Sequence, residues 1–348
     1  MNTKSLQDVW MQRCIDLAKL GFRGVKSNPM VGALIASGDQ VIGEGYHKYF
    51  GGPHAEINAI NAVKEHQKHL IAGSTLYVTL EPCSHIGKTP PCSHRIVKEK
   101  IAQVIIGCVD PNPLVAGKGI QYLRDHHINI ALSQRQAECE KLISKFKANV
   151  IGLPYIHLKW AQSADHFMAS AQNSVWLSNA FAGVLTHQYR SQYDAILVGK
   201  NTIIIDNPQL TTRNVPGENP IRIVLDSFGK VPSTARVITD QNPTLVINTL
   251  KDEAKGQVTY IKVQDMQDLD TTLRKLFQKG ITSIVVEGGS QVLYSFINAG
   301  LWHEAMIIQT KHKLKEGIKA PILTGHLVEK YCLQDDEILI ISNTKTIR

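Results

Sequence analysis

The sequence predicts an α/β protein built as two domains, and three observations carry that expectation. Short apolar runs of strand character alternate with segments of helical apolar spacing along roughly the first 150 residues. A second, strand-rich series begins in NVIGLPYIH (149–157), where glycine and proline follow a long helical pattern. The length, 348 residues, suits about two domains at ~150 residues each, and each would be large enough to bury its own core.

The elements follow in order. Leu6, Val9, Trp10, Met11, Leu17 and Leu20 fall near helical spacing, and Gly21 supplies a stop signal. Strand-like runs come next at VGALIA (31–36), TLYVTL (75–80), QVIIGCV (103–109) and INIAL (128–132). Helical patterns lie between and after them at 55–67, 92–100, 117–126 and 135–149. The domain boundary is placed near residue 150, giving a first domain over 1–149 and a second over 150–348. The second domain reads as the strands YIHLKWA, DAILVG, PIRIVLDS, TLVINT, VTYIKV, SIVVEGG, AMIIQT and EILIIS, with helices near 175–190, 267–279 and 289–299. The proline-rich, polar stretch 206–220 reads as a surface loop, near a site or merely connecting strands.

The polar N-terminus MNTKSLQDVW has no apolar core, and no run of ~18 apolar residues occurs, so neither secretion nor membrane spanning is expected and the cytoplasm is the predicted location. Six cysteines in a chain this long is a low density, and a reducing compartment disfavours structural disulfides, which leaves metal binding or catalysis for any conspicuous pair. Cys14, Cys108, Cys139 and Cys332 sit in apolar-periodic segments and read as small buried hydrophobes. The net charge of +8 suits an anionic substrate or cofactor, but the cations are scattered and aromatic residues few, which argues against a nucleic-acid groove.

The conspicuous pair is Cys83 and Cys92, at the ends of PCSHIGKTPPC. Upstream, PHAE places His54 and Glu56 where a Gly51-Gly52-Pro53 turn hands over to a helix. Helix N-termini favour thiolates and other anionic groups. One imidazole and two thiolates suit Zn²⁺, and three protein ligands leave a fourth position open, as in catalytic rather than structural zinc. His85 and His94 stand close to the cysteines and remain rival ligands. Zinc deaminases carry His-x-Glu followed by Pro-Cys-x-x-Cys, with the glutamate moving protons. Here the first half matches, whereas eight residues (84–91) separate the cysteines. In this reading zinc lowers the pKa of a bound water toward ~7, the resulting hydroxide attacks a ring carbon bearing an amine, and Glu56 shuttles protons to the ring nitrogen and the departing ammonia.

The wide loop SHIGKTPP, preceded by VTLEPCSH and followed by VDPNPLVAGKG, resembles the bifunctional riboflavin-biosynthesis deaminase/reductase family rather than cytidine or tRNA-adenosine deaminases. The resemblance implies a cytidine-deaminase-like three-layer α/β/α domain followed by a dihydrofolate-reductase-like α/β domain. It also implies a homodimer and a phosphorylated pyrimidine substrate. The first domain would deaminate a diaminopyrimidinone carrying a ribosylamino phosphate, and the second would reduce the ribosyl group to ribityl with NADPH. By the same resemblance, Asn28, His47, His85, Lys88, Asp110 and Asn112 would line the pyrimidine and phosphate pocket.

In the second domain the matching pieces are LKWAQSAD, SVWLS, Arg190, DAILVGKNT, DNPQLTTR, PIRIVLDS and VVEGGS. They imply NADPH contacts from Ala161, Trp176, Thr202, Asp206, Ser227, Gly288 and Gly289, and substrate contacts from Lys159, Ser174, Arg190, Leu210, Arg213 and Glu287. Three departures stand out. Ser163-Ala164-Asp165-His166-Phe167 replaces the family's Ser-x-Asp-Gly and following cation, the stretch from there to Ser174 is one residue shorter, and Asn207 replaces an aspartate. If the lost glycine held positive φ, His166 would strain or rearrange the turn. The alternative reading is therefore a deaminase with a catalytically impaired C-terminal binding or assembly domain.

Overall fold

The structure, a computed structural model, describes residues 5–22, 24–85, 90–170 and 177–344. Lys88, Ser174 and Trp176 lie outside the described residues. The chain divides into two compact units, Met1–Val150 and Ile151–Arg348.

The first unit runs α1 (Leu6–Leu20), β1 (Gly32–Ser37), β2 (Gln40–Tyr46), α2 (Ala55–Ala62), β3 (Thr75–Leu80), α3 (Cys92–Lys98), β4 (Gln103–Cys108), α4 (Lys118–Asp125), β5 (Asn129–Leu132), α5 (Gln136–Leu142) and α6 (Ser144–Val150). The strand order is β2-β1-β3-β4-β5. β3, β4 and β5 are parallel, and β1 is antiparallel to both of its neighbours. α1 and α5 cover one face, while α2, α3 and α4 cover the other, giving the three layers expected. Ser5 caps α1 by accepting from Asp8 N. The helix buries Trp10, Met11, Cys14, Ile15, Leu17 and Ala18, and Trp10 meets Tyr77 of β3 edge-on at 5.3 Å.

Three elements depart from the sequence-based expectation. β2 has too many glycines to read as a strand, and packing explains them: a Cβ on Gly43 or Gly45 would sit 2.4 or 2.3 Å from backbone atoms of Ala59 in α2. The helical pattern 55–67 stops at Ala62, because Val63 turns extended and Glu65–Leu70 forms a 3₁₀ turn. The pattern 135–149 breaks at Ile143, a core residue 1% exposed, into α5 and α6.

The second unit contains β6 (Tyr155–Gln162), β7 (Phe167–Ser170), α7 (Ala180–Arg190), β8 (Ala195–Gly199), α8 (Lys200–Asp206), β9 (Ile221–Leu225), α9 (Arg236–Thr239), β10 (Thr244–Asn248), β11 (Glu253–Lys255), β12 (Val258–Lys262), α10 (Leu269–Gln278), β13 (Ser283–Val286), α11 (Ser290–Ala299), β14 (Glu304–Gln309), β15 (Gly317–Lys319), β16 (His326–Leu333) and β17 (Asp336–Ser342). Ten strands form one sheet in the order β11-β12-β10-β9-β8-β13-β6-β14-β17-β16, parallel from β12 through β14 and antiparallel at both ends. β7 and β15 make a separate antiparallel pair. Leu269, Leu273 and Leu276 of α10 and Leu293 and Phe296 of α11 pack on Ile156, Leu158 and Trp160 on one face of the sheet. Ala182 of α7 meets Met306, Ile308, Ile338 and Ile340 on the other. β16, an exposed edge with a bulge between Leu327 and Glu329, lacks the clean alternation that would have marked it in the sequence.

His166 takes φ +63, so the histidine keeps the left-handed turn that the family's glycine suggested. Histidine is among the non-glycine residues enriched in that region, and the local strain amounts to ~1 kcal/mol. Neighbouring bonds hold the turn. Asp165 accepts from Ser163 Oγ at 2.6 Å, Leu314 N at 3.0 Å and Lys315 N at 2.8 Å, and Ala320 N donates to His166 O at 2.9 Å. Asn207 is likewise left-handed at φ +41, and its side-chain oxygen accepts from Arg236 N at 2.8 Å, so the exchange of aspartate for asparagine keeps the acceptor. No helix among the described residues is long and apolar enough to cross a membrane.

His303 yields a pH prediction. Burial pushes its imidazole down to about 4, and Nδ1 accepts from Ile156 N at 3.0 Å, so the folded ring is neutral. Its contribution to stability is complete above the unfolded value near 6.5 and is lost as pH falls through about 4. That difference corresponds to at most about 3 kcal/mol of the second unit's stability. NMR titration of the ring should find its midpoint near 4. A midpoint at an ordinary histidine value would contradict the buried geometry.

Candidate functional site

The first unit builds the centre of one site from three chain segments. His54 is the N-cap of α2, with Ala55 and Glu56 opening the helix. Cys83 follows β3 by three residues, and Cys92 opens α3. The side chains converge: His54 Nδ1 stands 3.6 Å from Cys83 Sγ and 3.3 Å from Cys92 Sγ, and all three ligand atoms lie within 4.8 Å of one another. A tetrahedral zinc with nitrogen at ~2.0 Å and sulfur at ~2.3 Å requires N···S separations of ~3.6 Å, so the donor set fits the ion in chemistry and spacing. Among the described residues this is the one His/Cys/Asp/Glu cluster with metal-ligand spacing, and neither His85 nor His94 belongs to it.

Electrostatics favour a thiolate here. Cys92, its backbone N–H at 3.3 Å and His54 together bring Cys83 down to about 4, against the opposing effect of burial. The Cys83 contact raises His54 to about 9. The Cys92 thiol moves the other way, since Cys83 beside it and burial both oppose a second charge. Glu56 is 3% exposed, and burial pushes its carboxyl up to about 7, where it can both take and give a proton near neutral pH.

These groups face a cavity of about 330 Å³ lined by Asn28, Pro29, Val31, His47, His54, Glu56, Leu80, Glu81, Cys83, His85, Asp110, Asn112, Val115 and Phe146. Every described residue expected in the deaminase pocket is therefore gathered in one place. His47 has a defined tautomer. Its Nδ1 meets the Pro53 carbonyl at 3.0 Å, which can only accept, so Nε2 is the acceptor for the Asn28 amide at 3.0 Å. Burial keeps this imidazole below its ordinary pKa. Asp110 Oδ1 accepts from Asn112 N at 2.8 Å, and Asn112 Oδ1 accepts from Leu114 N at 3.0 Å, which shapes the loop after β4. Sequence reading missed Glu81, Val115 and Phe146. Phe146 read as an ordinary position of one long helix, which the structure divides at Ile143 into α5 and α6.

In the second unit, Lys159 of β6, Arg190 of α7 and Glu287 at the end of β13 come together. Arg190 pairs with Glu287 through two bonds, Nε to Oε1 at 3.0 Å and a terminal nitrogen to Oε2 at 2.7 Å. Burial alone would push the Glu287 carboxyl up, but Arg190 and Lys159 outweigh it and hold it below its usual range. Burial pushes the Lys159 ammonium down, against the pull of Glu287 and with Arg190 adding to the fall. Arg190 also reaches Thr211 O at 3.3 Å, and Arg213 N donates to His187 Nδ1 at 3.1 Å, so the 210–213 segment adjoins the same cluster. Leu210, at φ +56, is buried, and its side chain sits in the core.

Arg222, wholly buried, anchors this loop through Gln209 O while binding both oxygens of Asp240, a role with no signal in its apolar strand context. Ala161 lies two residues beyond Lys159 on the same face of β6. Gly288 and Gly289 form the turn from β13 into α11, where a Cβ on Gly289 would lie 3.9 Å from Thr202 Oγ1 of α8. Ser227, at the end of β9, lines a cleft of about 620 Å³ with Phe228, Thr249, Met266 and Ser295. Asp206 is exposed at the end of α8. Except for Asp206, at the far end of α8, the described cofactor candidates thus sit near the C-terminal ends of adjacent parallel strands, where open α/β sheets bind ligands.

Comparison with known proteins agrees with both halves. Residues 4–108 match the family model of the cytidine and deoxycytidylate deaminase zinc-binding region, and 154–310 match the RibD C-terminal domain. The chain is 36% identical to the riboflavin biosynthesis protein RibD of Aquifex aeolicus, covering 89% of this chain and 88% of that protein. It is 38% identical to the Bacillus amyloliquefaciens protein of the same name, with 86% and 83% covered. Among solved structures, a Thermotoga maritima diaminohydroxyphosphoribosylaminopyrimidine deaminase/5-amino-6-(5-phosphoribosylamino)uracil reductase superposes with TM-score 0.86 at 32% identity over 97% of this chain and 99% of that one. Acinetobacter baumannii RibD superposes with TM-score 0.83 at 31% identity, over 98% and 99%.

Proposed function

The chain belongs to the RibD family of riboflavin-biosynthesis enzymes, which join a deaminase to a reductase, and from that premise we propose how its residues divide the work. Residues 1–149 act as the deaminase and 150–348 as the reductase. The substrate is a diaminopyrimidinone bearing a ribosylamino phosphate, which loses its ring amine in the first step and has its ribosyl group reduced in the second. The observation that carries this reading is the convergence of His54, Cys83 and Cys92 beside a buried Glu56 in one cavity.

In the deaminase, His54, Cys83 and Cys92 hold zinc, which when bound acts as a Lewis acid that makes water nucleophilic near neutral pH. Glu56 takes a proton from the attacking water and gives it to the ring nitrogen, then takes the remaining hydroxyl proton and gives it to the departing amine, so that water and amine are exchanged for carbonyl and ammonia. Asn28, oriented by His47, and Asp110 and Asn112 offer donors and acceptors to the pyrimidinone edge, and we assign His85 and Lys88 to the phosphate by kinship with the family.

In the reductase, Lys159, Arg190, Arg213 and Glu287 form the substrate side, with net positive charge suited to a phosphate, and we assign Ser174 and the backbone of Leu210 to the same substrate by kinship with the family. Ala161, Trp176, Thr202, Asp206, Ser227, Gly288 and Gly289 form the side that takes NADPH, which supplies the hydride. The intact left-handed turn at His166 supports a working second domain rather than an impaired one. We assign the protein to the cytoplasm and expect a homodimer, both by its kinship with the family.

Incubating the purified full chain with the diaminopyrimidinone phosphate and NADPH tests the reading. One ammonia released per NADPH consumed is expected, with one zinc per chain by elemental analysis. Ammonia without NADPH loss would remove the reductase from the account, and a metal-free chain with full turnover would remove the zinc.

A further inference from the structure

Glu81, between the end of β3 and Cys83, is a buried carboxylate, 4% exposed, with no role in the chemistry above. Its two oxygens accept four backbone N–H groups. Oε2 takes Asp110 N at 3.2 Å and Gly117 N at 3.0 Å, and Oε1 takes Gly119 N at 2.9 Å and Ile120 N at 3.2 Å. No lysine, arginine or histidine forms an ion pair with it among the described residues. Its partners are instead the start of the loop that carries Asp110 and Asn112, and the first turn of α4, whose N-cap Gly117 is left-handed at φ +77. Converging N–H groups of this kind form an anion-binding nest, strengthened by the helix dipole.

The backbone reinforces the same junction. Glu81 N donates to Cys108 O at 2.9 Å, and Gly119 packs so closely that a Cβ there would come 1.9 Å from Pro82 O. One side chain thereby links three pieces of the site: the strand that delivers Cys83, the loop with Asp110 and Asn112, and the helix that closes that loop.

We propose that Glu81 is a positioning residue of the deaminase, whose carboxylate sets the substrate-facing loop 110–117 at a fixed distance from the metal-binding strand. This rests on the deaminase reading above. The side chain hydrogen-bonds to backbone N–H groups rather than to His54, Cys83 or Cys92, so its loss misplaces Asp110 and Asn112 while leaving those three in reach of one another. Binding of the substrate suffers first.

Glu81→Gln is the direct test, because it is isosteric and sets amide N–H donors against two backbone donors. In the full-length enzyme it should keep one zinc per chain and the NADPH-dependent reduction of already deaminated substrate. The deamination KM should rise about tenfold or more, with kcat falling by a smaller factor. Amide exchange at Asp110, Gly117, Gly119 and Ile120 should accelerate at least tenfold, a readout that needs no deaminase activity and so separates this proposal from the reading it rests on. Gly119→Ala, which forces the junction apart from the other side, should give the same KM and exchange signature, and it serves if Glu81→Gln fails to fold. Unchanged KM and exchange would overturn the proposal, as would activity lost only in step with zinc.

Discussion

Glu56→Gln should lose about 10²- to 10⁴-fold in deamination kcat while binding zinc as before, an effect of about 3–5 kcal/mol on the barrier. The replacement keeps the shape and the hydrogen-bonding edge but cannot carry a proton. Geometry makes the loss specific. Glu56 opens α2 two residues after His54, is 3% exposed, and faces the same cavity as Asn28 and Asp110. Burial holds its carboxyl at about 7, so the native group changes protonation readily where the enzyme works. Glutamine is neutral, so no buried charge is stranded and the fold has no reason to suffer. The NADPH-dependent step, measured on deaminated substrate, should be unchanged in the same preparation. Near-normal ammonia release from the variant would refute the assigned role, and loss of zinc would show that Glu56 supports the metal centre instead.

The candidate metal cluster was legible in the sequence because its chemistry is carried by rare residue types at or near helix starts. His54 and Cys92 flank glycine- and proline-marked turns, and no packing demand would place an imidazole and two thiols there together. The alternating strands of the parallel sheets were legible for a related reason: a strand buried on both faces, such as SIVV in β13, reads as an unbroken apolar run. What stayed hidden depends on contacts between distant segments. β2 was masked by Gly43 and Gly45, whose lack of side chains is a response to Ala59 on α2. Phe146 lines the cavity from α6, which sequence periodicity had merged with α5 into one helix. Glu81 looked like any acid after a strand, since its partners are backbone N–H groups, which every sequence possesses. The Arg190–Glu287 pair joins residues 97 apart, and nothing local to either announces it.

That pair supports the second large prediction, because it poses the question of architecture against chemistry. Arg190 and Glu287 are 12% and 9% exposed, so Arg190→Met leaves a carboxylate buried beside Lys159 alone. Breaking a buried pair from one side costs about 3–5 kcal/mol, whereas removing both charges is often close to neutral. Arg190→Met should therefore destabilise the second unit by about that amount in urea unfolding, and Arg190→Met with Glu287→Leu should recover most of the loss. Lys159 can accommodate the change, since its ammonium is already pushed down by burial. Recovery of the fold separates the two roles. If Arg190 and Glu287 face the ribosylamino phosphate, the double variant should remain at least about 10²-fold slower in NADPH consumption, consistent with loss of charge-assisted contacts in a low-dielectric site. Deamination, which depends on residues of the first unit, should proceed in every one of these variants. A double variant that regains both stability and NADPH turnover would confine the pair to holding α7 against β13, and the reductase site would then have to be built around Lys159 and Arg213 instead.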